Sequence, residues 1–304
     1  MDAPPEHEDC GPFIQVARFL ESMRLNSPRI LETDLEHGFL LLSDLGSTLY
    51  LTELENDRST ASHLYGDAIT ALITMQSLGI EYQSQLPPYD EALLSFELSL
   101  FHDWLCQRHL KIEFTDRDEA QWQDTCRLLM DNALSQAKVF VHRDYHSRNL
   151  MVTDDNNPGI IDFQDAVEGP LTYDLVSLLK DCYISWPEEQ TNSWALQFYD
   201  QLDDAIKKNM NPDQFIRHFD LMGVQRHLKA SGIFARLLHR DGKTGYMNDV
   251  PRTLDYIVAL ESKYDELSFL IDLITRRSCP NQERQHDRDD SGGRPGRKAA
   301  PDHR

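Results

Sequence analysis

The chain has 304 residues, of which 40% are hydrophobic and 27% charged, a length that can bury a sizeable core and a composition that excludes the disordered and fibrous classes. Its formal charge is −21, and with 8 basic and 5 acidic residues in 276–304, residues 1–275 hold 22 basic and 46 acidic ones. A surface that acidic repels a phosphate backbone, which argues against nucleic acid or an anionic membrane as partner, and an anionic substrate would need local positive charge or a metal ion to offset the field.

No apolar run approaches the roughly 20 residues that span a bilayer, and Met1-Asp2-Ala3-Pro4-Pro5-Glu6 has neither the basic start nor the apolar stretch of a signal peptide. A cytoplasmic location is expected. The five cysteines, Cys10, Cys106, Cys126, Cys182 and Cys279, form no CxxC pair and read as reduced, mostly buried thiols.

Taken in chain order, Asp9 to Leu25 has helical spacing, with Phe13, Val16, Ala17, Leu20 and Met23 on one face. Arg29 to Thr33 and Gly38 to Ser43 read as two strands around a polar turn. Long helices are expected over Ser59 to Leu78, Asp90 to Leu110 and Asp118 to Gln136. Lys138 to Val141 is a short apolar strand, followed by a polar loop and two brief strands, Leu150 to Thr153 and Gly159 to Asp162. Helices then follow over Tyr173 to Tyr183, Glu188 to Asn209, Pro212 to His239 and Val250 to Ile274. From Arg276 onward almost nothing is apolar, so residues 276–304 are expected to be a disordered tail.

Chemistry concentrates in one stretch. Asp144 lies five residues before Asn149 on a loop entered from one strand and left by another, and Asp162 ends the next strand. Phosphoryl transfer from a nucleotide needs a carboxylate to orient an attacking hydroxyl and take its proton, and oxygen ligands that hold Mg²⁺ on the phosphates. Asp144 fits the first role, Asn149 and Asp162 the second. The rival is a metallohydrolase using the alternating His142, Asp144 and His146, which leaves Asn149 and Asp162 unexplained and finds no further His-rich segment.

His142-Arg143-Asp144 with Asn149, and Ile161-Asp162-Phe163 after it, resemble the catalytic and metal loops of the aminoglycoside phosphotransferase-like kinases, relatives of the protein kinases. The stretches Phe39 to Gly46, Val141 to Leu150, Ile161 to Ala166, Gly169 to Leu179 and Gln225 to Phe234 are closest to the branch of that family that phosphorylates the anomeric hydroxyl of N-acetylmuramate and N-acetylglucosamine in bacterial cell-wall recycling. The resemblance runs from residue 1 to about residue 270. It implies an α+β, protein-kinase-like two-lobed fold: residues 1–45 as the remnant of a small nucleotide-binding lobe and hinge, 46–275 as a mostly helical catalytic and substrate lobe. It implies ATP and Mg²⁺ as cofactors and a monomer whose partners are ATP and a small sugar.

By the same resemblance Asp144 is the catalytic base, Asn149 and Asp162 are the Mg²⁺ ligands, and Ser43, Asp44 and Leu45 form the hinge whose backbone binds adenine. Asp174 buttresses the loop, and His146, Gln164, Asp165 and Arg226 are candidate sugar contacts. One departure stands out. In that family Met1-Asp-Ala-Pro-Pro-Glu6 falls at the end of the third strand of the small lobe, so about 50 to 60 residues are expected to precede Met1, a late-assigned start being preferred to a truncated product. The Arg29 to Ser43 hairpin is then expected to keep an exposed edge and an uncovered apolar face. The alternatives are a hydroxyl kinase for an aminoglycoside or amino alcohol, and an inactive truncated kinase-like binding module.

Overall fold

A computed structural model describes residues 1–4, 6, 9–207 and 210–275. The expected tail over 276–304 lies outside the described residues. Helix α1, Cys10–Ser22, starts where the Asp9 carboxylate accepts the Gly11 amide and buries Phe13, Val16, Ala17 and Leu20. Strands β1, Ile30–Asp34, and β2, Phe39–Leu42, form an antiparallel hairpin. Residues 1–3 run along the other side of β2, the Ala3 amide donating to Gly38 O (2.9 Å) and the Leu40 amide to Met1 O (3.1 Å). Leu40 and Ala3 point into the core, whereas Leu31, Phe39 and Leu41 are 54%, 50% and 58% exposed. The uncovered apolar face expected of this hairpin is present.

Helix α2, Tyr50–Asn56, was not anticipated, because its seven residues are too few to show a period. A 3₁₀ turn leads into α3, Ala61–Leu78. The expected helix from Asp90 is α4, Glu91–Leu100, continued over Phe101–His109 in π-helical form, with the Leu110 amide reaching Leu105 O. Helix α5, Asp116–Ser135, opens with a Thr115/Asp118 capping box. Strand β3, Lys138–Val141, precedes the short pair β4, Leu150–Met151, and β5, Gly159–Ile160. Strand β6, Val167–Pro170, pairs antiparallel with β3; its Gly169-Pro170 ending hid it in the sequence.

Helix α6, Tyr173–Leu179, is buried along its whole length. The helix expected over Glu188 to Asn209 stops earlier: α7 is Glu188–Gln201, buried Leu202 adopts extended backbone, and α8 is Asp204–Lys207. Helix α9, Pro212–Asp241, runs from an Asn211/Gln214 capping box to Gly242 in left-handed conformation. It is the axis of the larger part and is buried all round from Phe219 to Lys229. The helix expected over Val250 to Ile274 is instead α10, Val250–Val258, and α11, Ser268–Thr275. Between them the chain bends so that Tyr264 Oη donates to the buried Asp220 at 2.9 Å.

Packing is tightest where α9 crosses the start of the π-helix. A Cβ built on Gly232 would lie 2.3 Å from Leu100 C and 2.5 Å from Leu100 O, so only glycine permits this approach. The apolar core has two clusters. One joins α1, β2, α3, β3 and α6; the other lies under the π-helix, α5, α10 and α11.

Candidate active site

The site begins where β3 ends. Arg143 takes a positive φ of 77°, and the reversal is held by Asp174 of α6, which accepts the His142 amide at 2.6 Å and the Arg143 amide at 3.0 Å. Burial holds the Asp174 carboxyl up at about 7 even though the two amide donors lower it. The buried His142 ring is fixed at both ends. Its Nδ1 accepts the Asp144 amide at 3.2 Å, so Nε2 carries the proton and donates to Ile161 O at 3.1 Å. Burial pulls this imidazole down to about 4, which keeps it neutral. Both nitrogens are thus used by the loop itself, which removes His142 as a metal ligand. The loop is tied to α3 by Tyr145 Oη, which donates to Ala68 O (2.9 Å), and to the segment after α6 by Ser147, whose amide and hydroxyl both donate to Asp181.

These anchors bring Asp144, Asn149 and Asp162 to one cavity. Asn149 Nδ2 donates to Asp144 O at 3.1 Å and to Asp162 Oδ2 at 3.0 Å. Asp162, with φ 63°, also accepts Gln164 Nε2 at 2.9 Å. Asp144, His146, Asn149, Asp162 and Arg226 line one cavity of about 440 Å³. Burial raises the Asp144 carboxyl, but Lys229 above all, then His146 and Arg226, bring it below its ordinary value, so it is ionised at neutral pH. His146 is buried, its Nδ1 has no hydrogen-bond partner among the described residues, and burial pulls its ring down.

Other expected residues lie elsewhere. Gln164 and Asp165 are not on the wall of this cavity; Gln164 is turned onto Asp162, and Asp165 is exposed. Ser43, Asp44 and Leu45 line a second, larger cleft of about 700 Å³ that shares no residue with the first. There Asp44 Oδ1 accepts the Gly46 amide at 2.8 Å, and no other backbone group among the described residues engages the amides and carbonyls of Asp44 and Leu45.

Sequence reasoning missed the support beneath the cavity. Glu97 of α4, 1% exposed, accepts Arg143 Nη2 at 2.7 Å, Lys229 Nζ at 3.0 Å, Gln225 Nε2 at 3.0 Å and the Tyr89 hydroxyl. Lys229 also donates to Tyr173 Oη at 2.8 Å. One carboxylate therefore holds both the arginine beside Asp144 and the lysine that lowers its pKa. A signal was available: Gln225, Arg226, His227 and Lys229 are polar residues in a helix stretch flanked by apolar ones, and a run of them buried together needs mutual partners or a ligand.

Asn149 and Asp162 offer one amide and one carboxylate oxygen donor, and among the described residues no basic side chain forms an ion pair with Asp162. That donor set suits a hard divalent cation that takes its remaining ligands from phosphate and water. The arrangement can therefore place a metal-bound phosphate opposite a carboxylate base.

Comparison with known proteins agrees with this chemistry. Residues 1–210 match the phosphotransferase enzyme family. The N-acetylmuramate/N-acetylglucosamine kinase of Pseudomonas aeruginosa is 47% identical over 275 residues, covering 90% of this chain and 80% of that protein. The kinase of the same name from Neisseria meningitidis is 39% identical over 277 residues, 90% of this chain and 81% of that protein. Among solved structures, ADP-bound aminoglycoside phosphotransferase APH(2'')-Ib superposes with a TM-score of 0.52 at 17% identity, covering 81% of this chain and 80% of that one. Choline kinase LicA from Streptococcus pneumoniae superposes with a TM-score of 0.56 at 14% identity, covering 83% and 81%. At such identities the superpositions speak for the fold, an α+β kinase-like one.

Proposed function

The chain belongs to the phosphotransferase enzyme family, and from that premise we propose that it is an ATP-dependent sugar kinase acting on the anomeric hydroxyl of N-acetylmuramate and N-acetylglucosamine. The observation that carries this reading is the meeting of Asp144, Asn149 and Asp162 at one cavity. Asp144 is the base: its ionised carboxylate orients the acceptor hydroxyl and takes its proton as the oxygen attacks the γ-phosphorus and the bond from that phosphorus to the bridging oxygen breaks, releasing ADP. An anomeric hydroxyl is more acidic than an ordinary alcohol, so a carboxylate held below its usual range still suffices. Asn149 and Asp162 hold Mg²⁺, which when bound neutralises charge on the phosphoryl oxygens. Backbone groups of Ser43, Asp44 and Leu45 bind adenine, in keeping with the lack of backbone partners for Asp44 and Leu45 among the described residues. His146 and Arg226 contact the sugar from the cavity wall; Gln164 and Asp165 reach it only if they swing from their present positions.

Residues 1–45 then serve the nucleotide, and 46–275 carry the catalytic groups and the acceptor. We take the protein to be a cytoplasmic monomer of cell-wall sugar recycling; no helix among the described residues is long and apolar enough to cross a membrane. A cationic aminoglycoside or amino alcohol suits the acidic exterior, but it would meet Arg148, Arg226 and Lys229 inside the cavity. With ATP, Mg²⁺ and either N-acetyl sugar, the product should be a sugar 1-phosphate, recognised by phosphorus coupling to the anomeric proton. Acceptors reduced at C1 should fail. Phosphate on C6, or turnover only with aminoglycosides or choline, would overturn the acceptor assignment; no turnover of any acceptor would favour a binding module.

A further inference from the structure

Arg226 is buried to 5% exposure on the cavity wall, yet its one hydrogen bond among the described residues is a 3.8 Å contact from Nη1 to Cys182 Sγ. A thiol is a weak acceptor, and a guanidinium with five donors and no oxygen partner is costly to bury. On the adjacent residue a second guanidinium, that of exposed Arg148, lies over the Tyr183 ring at 3.6 Å from its centroid. Arg148, Tyr183 and Cys182 line the same cavity as Arg226. Two arginines therefore flank one short piece of wall, one at its depth and one at its rim.

The other charges of the cavity are accounted for. Asp144 and Asp162 face the reacting side, and Lys229 is held by Glu97 and Tyr173. The two arginines remain without a carboxylate at hydrogen-bond distance among the described residues, in a chain whose formal charge is −21. Such a cluster answers the need that an acidic protein has when its ligand is an anion. The two acceptors of the preceding reading differ in this respect: N-acetylmuramate carries a carboxylate on its lactyl ether, and N-acetylglucosamine carries none.

We propose that Arg226 and Arg148, on either side of Cys182 and Tyr183, form a subsite for the carboxylate of an acidic amino sugar, so that the enzyme prefers the acceptor bearing the lactyl group. This rests on the acceptor reading above and adds which residues choose between the two sugars. A charge-assisted hydrogen bond has the strength to set a preference of about 10- to 100-fold. Arg226 serves binding of the acceptor's carboxylate, and Arg148, stacked on Tyr183, closes the subsite.

The test measures kcat/KM for N-acetylmuramate, its carboxamide and N-acetylglucosamine with the wild type, Arg148→Gln and Arg226→Met. In the wild type the acid should exceed its carboxamide by about 10- to 100-fold. Each variant should lose that margin, falling far more with the acid than with N-acetylglucosamine, while the acid and the carboxamide converge. Arg148 is exposed, so its variant keeps the readout available should Arg226→Met fold poorly. Equal use of acid and carboxamide by the wild type, or equal losses on both sugars in the variants, would overturn the subsite and leave the kinase reading standing. Turnover of neither sugar by the wild type would overturn the acceptor assignment and the subsite together.

Discussion

Asn149 Nδ2 lies 3.0 Å from Asp162 Oδ2, so the amide of one loop and the carboxylate that follows β5 are joined within the protein itself. If the pair holds Mg²⁺, Asp162→Ala should abolish the difference in ATP affinity measured with and without Mg²⁺, a difference the wild type should show. Unchanged Mg²⁺ dependence in calorimetric titrations would remove Asp162 from the metal role.

Replacing the base should act on turnover. Asp144→Asn is expected to lower kcat by about 10² to 10⁴ with ATP affinity little altered. The pH profile gives a finer check. As a base Asp144 would have to be ionised, so activity should be lost as pH falls through its lowered pKa. Lys229 is the largest influence lowering that pKa, and Lys229→Met should move the acid limb of kcat/KM to higher pH. A limb that stays in place would show that Asp144 is not the titrating group.

Asp174 serves structure. Its carboxylate satisfies the buried amides of His142 and Arg143, and Asp174→Ala would strand both. Each stranded amide costs about 1 to 3 kcal/mol. Urea denaturation should show a loss of that order, accompanied by lower kcat because the loop carrying Asp144 loses its clamp.

Gly232→Ala tests the helix crossing. The added methyl would sit 2.5 Å from Leu100 O, and both partners are backbone, so neither can swing aside. Forced repacking of this kind costs about 1 to 3 kcal/mol. The melting temperature should fall by several degrees; an unchanged value would mean that α9 and the π-helix are free to part.

Much of this molecule could be read from local pattern. Capped, periodic segments such as Pro212 to His239 declare themselves, because Asn211, Pro212 and the terminal glycine act within a few residues of the helix they bound. Asp144, Asn149 and Asp162 could be singled out because their spacing and strand context fit phosphoryl transfer, and the structure brings them to one cavity. What escaped is what depends on distant partners. The bend after Val258 brings Tyr264 to Asp220, 44 positions away. Glu97 reads as one more acidic residue on a helix face until α9 brings Lys229 and Gln225 to it. The π-helical stretch begins at Phe101 where Gly232 approaches Leu100, and no 3.6-residue pattern contains that information. Arg148 gains its place only through Tyr183, 35 positions on, whose ring lies beneath it.

The hairpin β1–β2 has a kinetic consequence. β1 has one half-buried residue and four exposed ones, and in β2 only Leu40 is buried, whereas β3 buries three of its four. Opening the hairpin exposes little new apolar surface, so it should rank among the first segments to unfold locally, its amides exchanging with deuterium well before those of Val139 to Val141. Ser43 to Leu45 begin where β2 ends. A nucleotide that needs those backbone groups in place would bind only the closed fraction of molecules, and its apparent affinity would fall in proportion to the time the hairpin spends open.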